Sequence, residues 1–122
     1  MNWILVFIGG GIGSLLRYGI SVFFQKQNSL SLPYATLWAN LVACVVFALV
    51  FIIYQQKDII PTSVRMLLLT GFCGGLSTFS AFSFETVELM KRGELLYAVL
   101  NVIVNLFLCL LVFYLLVNKE TV

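Results

Sequence analysis

The stretch "GFCGGLSTFSAFSFE", residues 71–85, decides how the chain is read. It lies within an apolar run, yet it holds glycines at 71, 74 and 75, hydroxyls at Ser77, Thr78, Ser80 and Ser83, four phenylalanines and Glu85. Glycine is a poor helix former, and serine and threonine compete for backbone hydrogen bonds, so this is the weakest helical segment of the chain. A break is expected here, near the middle of a membrane span. Unwound backbone at that depth persists only where protein or a cavity satisfies it.

The surroundings establish that a membrane is meant. The chain has 122 residues, 61% hydrophobic and 10% charged, which places it among integral membrane proteins and reads as one domain over residues 1–122. A span needs about 20 apolar residues. Four runs qualify: Trp3 to Phe24, Pro33 to Tyr54, Met66 to Leu89 and Leu95 to Val117. The polar stretches 25–32, 55–65 and 91–94 are too short for a soluble domain, and Pro33 and Pro61 mark helix starts. The first run is read as a span and not a signal peptide, because no Lys or Arg precedes it. The expected fold is all-α, with four transmembrane helices and the third broken near its middle.

Several function classes drop out. There is no histidine, and Cys44, Cys73 and Cys109 lie in three different runs without the spacing of a zinc or redox pair, so they read as packing residues. No nucleophile and base can be paired into an enzyme site. Charge placement is more telling. With four spans, Lys57, Arg65 and Lys119 share one side of the membrane, and Lys26, Lys91 and Arg92 share the other. Orientation follows an excess of Lys and Arg on the cytoplasmic side, and three against three gives no excess. Two readings stand: insertion both ways up, or an orientation set by Arg17 or by depth.

The polar residues inside the spans also carry two readings each. Arg17 is an intramembrane charge and so a candidate functional residue, or a side chain snorkelling to the interface beside Tyr18. Gly9 and Gly13, spaced i, i+4, fit close helix packing; the incomplete Gly-x-Gly pattern around them does not make a dinucleotide loop. Asn40 is either a bond between helices or a site group, because a buried amide must find partners. Asn101, Asn105 and Cys109 recur every four residues, a polar stripe on an otherwise apolar helix. Phe79 and Phe82, three apart, share a helix face; Ser80 and Ser83 form a neighbouring one.

That set suits a small anion. An anion leaving water needs hydrogen-bond donors, which hydroxyls and amides supply, and a phenyl ring offers a positive edge. No fixed cation is then needed along the path, so the ion is free to leave. The free carbonyls of the break suit a small hard cation instead.

Taken together, "GGGIGSLLRY" in the first span, "TLWAN" in the second and "GFCGGLSTFSAFSFE" in the third resemble the successive signatures of the Fluc (CrcB) family of fluoride channels, in order and along the whole chain. The resemblance implies passive, fluoride-selective export from the cytoplasm through a cell-membrane protein, working as an antiparallel dual-topology dimer within lipid. The partner is a second identical copy or a sister chain, and no nucleic acid is involved. It implies that Phe79 and Phe82 line the fluoride path by their ring edges, with Asn40 as pore asparagine and Thr78, Ser80 and Ser83 as hydroxyl positions. Gly74 and Ser77 match the break whose backbone carbonyls, from both subunits, hold a structural sodium ion that is not transported. Arg17 matches the first-span arginine and Glu85 the carboxylate closing the third-span motif. Ser77 and Ala81 depart from the family's usual threonines.

The runner-up is a small four-helix, proton-coupled multidrug-type transporter. That class needs a titratable carboxylate at the bundle centre, and the first span has no acid. A non-transporting scaffold leaves the broken, serine-bearing helix unexplained.

Overall fold

The computed structural model describes residues 1–25, 33–57 and 59–118. Four helical spans result, each near its expected place: α1 (Asn2–Gln25), α2 (Tyr34–Lys57), an interrupted third span and a final helix. The third span is built from α3 (Thr62–Arg65), a wider π-helical stretch (Met66–Cys73), α4 (Gly74–Leu76) and α5 (Phe79–Lys91); α6 (Leu95–Asn118) follows. Each long helix has 24 residues, or about 36 Å at about 1.5 Å per residue, enough to cross a hydrocarbon core of about 30 Å. All four spans are apolar as well as long enough, and no strand occurs among the described residues. The chain is a multi-pass membrane protein. Lys26 and Lys119, used in the charge count, lie outside the described residues, as does most of the 25–32 stretch.

The helix ends follow local rules. Pro33 and Pro61 immediately precede α2 and the third span, where a missing N–H is harmless. Arg65 lies with its guanidinium 4.0 Å from the centre of the Tyr54 ring, tying the start of the third span to the end of α2. At the far end, Gly93 has φ of 80°, Gly93 N–H donates to Met90 O at 3.1 Å and Glu94 N–H to Leu89 O at 2.9 Å. That pattern turns the chain sharply into α6 and needs a left-handed residue.

Small residues let the helices close. α1 packs along the π-helical stretch and α4, while α6 packs on both α2 and α5. Gly9 and Gly13 are buried at the first of these contacts, as their spacing suggested. A methyl on Gly9 would strike the Leu67 carbonyl, and one on Gly13 the Phe72 carbonyl, backbone atoms that cannot swing aside. The core gathers Ala39, Ala43, Cys73 and Leu76. The outer face of α1, with Trp3 and Phe7, is left exposed, as befits a surface solvated by lipid.

Candidate functional site

The break falls at Ser77 and Thr78, both extended, with φ/ψ of −76°/151° and −149°/117°. The glycines prepare it without being it. Gly71 is still π-helical, and Gly74 and Gly75 are α-helical. In an unbroken helix the Thr78 N–H would bond the Gly74 carbonyl; here it donates to Asn40 Oδ1 at 2.7 Å. The Gly75 carbonyl is instead taken by Arg17 Nε at 3.2 Å. Asn40 thus holds the donor side of the break and Arg17 the acceptor side. Arg17 is therefore committed to the break, in place of snorkelling free beside Tyr18. On the near side, Ser77 N–H and Ser77 Oγ both donate to the Cys73 carbonyl, at 2.9 and 2.8 Å. On the far side, Thr78 Oγ1 accepts the Ala81 N–H at 3.1 Å and so caps α5, the role for which threonine suits a helix start.

A cavity of about 220 Å³ opens at this break. Asn40 and Cys44 of α2, Asn105, Leu106 and Cys109 of α6, and Ser77, Thr78, Phe79 and Phe82 line it. The two rings sit 5.7 Å apart between centres and are inclined at 43°. They differ in exposure: Phe82 is 8% exposed and Phe79 76%. Asn40 Nδ2 makes only long contacts, 3.4 Å to Thr78 O and 3.5 Å to Asn105 Oδ1. N–H···O bonds of ordinary strength are about 2.7–3.2 Å long. One short bond therefore fixes the amide, while its NH₂ group stays largely available to an incoming acceptor.

Behind Asn40 runs a polar chain that the sequence showed only in part. Asn105 Nδ2 donates to both O and Oδ1 of Asn101 at 2.9 Å. Asn101 Nδ2 donates to Thr86 Oγ1 at 2.9 Å, and Thr86 Oγ1 to the Phe82 carbonyl at 2.8 Å. Both asparagines are 4% exposed. Their four-residue spacing was the available signal; Thr86 gave none. The stripe is thus a satisfied network locking α6 to α5, with Asn105 reaching the cavity wall.

The remaining candidates divide. Ser80 does not line this cavity; its hydroxyl lies 3.3 Å from Thr78 Oγ1. Ser83 also lies off the cavity. Glu85 Oε1 accepts from Thr36 Oγ1 of α2 at 2.8 Å, and its Oε2 is buried with no hydrogen-bond partner among the described residues. Gly74, exposed to open space, borders a second cavity with Cys44, Cys73 and Ser77. Cys44 and Cys109, read from the sequence as independent packing residues, meet at one wall of the first cavity.

Comparison with known proteins gives a consistent picture. The family model described as "CrcB-like protein, Camphor Resistance (CrcB)" matches residues 4–117. Proteins from Shewanella sp. strain ANA-3, Shewanella oneidensis and Shewanella baltica strain OS185 are each 40% identical over 114 residues, 93% of this chain and 91% of theirs. Each of the three is named "Fluoride-specific ion channel FluC".

Proposed function

The chain belongs to the CrcB-like family, and from that premise we propose that it is a fluoride-selective channel of a bacterial plasma membrane, lowering cytoplasmic fluoride by passive flow. The observation that carries the reading is the meeting of Asn40, Thr78, Phe79 and Phe82 at one cavity beside the broken helix. Fluoride entering there would exchange water for the Asn40 amide hydrogens and the Thr78 hydroxyl, then for the positive edges of the two rings. None of the groups lining the cavity is a cation, so binding stays weak enough for release.

A proton-coupled exchanger fits less well. No carboxylate lines the cavity, and Glu85 is engaged by Thr36 at some remove from it.

The reading extends to an antiparallel dimer, with an identical copy as partner. Two features support it. Phe79, 76% exposed, leaves one side of the cavity without a wall, and the charge tie lets both orientations insert. A structural sodium ion fits the same arrangement. The Gly74 carbonyl has lost its helical donor to Asn40, and neutral carbonyl oxygens suit a small hard cation. Gly74 and Ser77 would hold it. One subunit offers too few such oxygens, the more so with the Arg17 charge bonded at Gly75, so matching carbonyls of a second copy would complete the shell. Bound there, the ion would pin the two broken helices together.

The test is growth. Expressed in a bacterium lacking its own fluoride exporters, the chain should restore growth on fluoride and leave growth on chloride unchanged. Absence of rescue by protein shown to be in the membrane would refute the reading.

A further inference from the structure

We propose that Cys44 and Cys109 together form a two-coordinate thiolate site for a soft divalent cation of linear preference, mercuric ion being the probe, and that its occupation closes the cavity. The site rests on helix register. Asn40 of α2 faces Asn105 of α6; one turn further along both helices, four residues on each, stand Cys44 and Cys109. The next layer continues the pairing, with the rings of Phe47 and Phe113 5.6 Å apart, edge to face. The cysteines are therefore a fixed layer between two others. Both thiols line the cavity of Asn40 and Phe82, one layer beyond the Asn40–Asn105 contact.

Donor number selects the metal. No group of three or more His, Cys, Asp or Glu among the described residues could hold an ion, and zinc in structural sites wants four ligands. Cys73 does not complete a triad: it is 4% exposed and packed with Ala39 and Ala43 in the core, it does not line the first cavity, and no three such ligands come together among the described residues. Two soft thiolates and no third donor suit an ion that is content with linear coordination. Binding is a plain substitution: two S–H bonds release two protons to water, two Hg–Cl bonds of the mercuric chloride break and release two chloride ions, two S–Hg bonds form, and nothing is oxidised or reduced. The product, RS–Hg–SR, is neutral, which favours it inside a membrane, where a charged product is costly. A univalent soft ion would leave a net negative charge.

The closing of the path rests on the fluoride reading; the site itself does not, and the experiment separates them. Purified full-length chain is titrated with mercuric chloride, following the ultraviolet sulfur-to-mercury charge-transfer band and the bound mass by native mass spectrometry. Wild type and C73S should hold one mercury per chain, and C44S and C109S should bind it at least tenfold more weakly. C44A and C109A serve where a serine variant does not fold. Binding undiminished in the Cys44 and Cys109 variants, or lost only in C73S, would overturn the site. In liposomes, mercury should cut fluoride efflux at least tenfold in wild type and C73S and spare C44S and C109S. Bound mercury with undiminished efflux would overturn the closure. Mercury bound by a chain that conducts no fluoride would uphold the site and sink the channel.

Discussion

Replacing Asn40 with alanine should unmake the break and the anion path together. The short bond from Thr78 N–H, 2.7 Å, is lost, and a half-buried backbone donor left unpaired costs about 1–3 kcal/mol. The contacts at 3.4 and 3.5 Å add little. Part of the cost is recovered if the freed N–H swings back to the Gly74 carbonyl and the helix closes, regaining about 1 kcal/mol. The net loss is up to about 2 kcal/mol, a shift of up to about 30-fold in the folded ratio. N40D separates the two roles. It keeps the Thr78 acceptor, and so most of the stability, but it removes the amide donors and places an acid where an anion must pass. Thermal unfolding followed by tryptophan fluorescence, with fluoride efflux from liposomes, reads both. N40A should melt earlier and conduct poorly, and N40D should hold its melting point better and conduct as poorly. Efflux at the wild-type rate in N40D would refute the donor role, and an unchanged melting point in N40A would refute the capping role.

Three further outcomes follow from the same geometry. Thr78→Val, close in shape but without the oxygen that caps Ala81 N–H at 3.1 Å, should cost about 1 kcal/mol in unfolding measurements; no change would remove the cap from the account. Gly13→Ala puts a methyl against the Phe72 carbonyl and 2.8 Å from Leu76 N, so it should destabilise by about 1–3 kcal/mol or prevent folding. Gly11→Ala, with nothing within 4 Å, should be silent, and equal melting of the two would contradict the α1 packing. Phe79→Ile and Phe82→Ile should both sharply reduce fluoride efflux, since an aliphatic chain has no positive edge. Only Phe82, 8% exposed, should also lower stability, and normal efflux in both variants would sink the assignment of the rings.

Much of this arrangement could be read before any coordinates. Four spans, their proline starts, the Gly9 and Gly13 contact and a break in the third span all follow from short-range pattern, which composition and spacing carry. The break falls at Ser77 and Thr78, inside the segment that reads as weakest, but its cause within that segment is not local. Gly71, Gly74 and Gly75 look like the weak point, yet they stay helical, because what stops the helix is a side chain from another span taking the Thr78 N–H. The π-helical winding of Met66–Cys73 is likewise invisible in "MLLLTGFC", whose residues suit an ordinary helix. Arg17 reaching Gly75 across 58 positions, Thr36 bonding Glu85 across 49 and the facing of Cys44 and Cys109 depend on how helices dock. No local spacing encodes those partners.

The most direct test of the central claim is ion efflux from liposomes that contain this chain alone. With potassium fluoride inside and valinomycin to carry the counter-charge, a fluoride electrode should record rapid release, while chloride-loaded liposomes stay closed. Chloride release at a similar rate, or no release of either ion from folded protein, would contradict a selective fluoride path built by copies of this one chain.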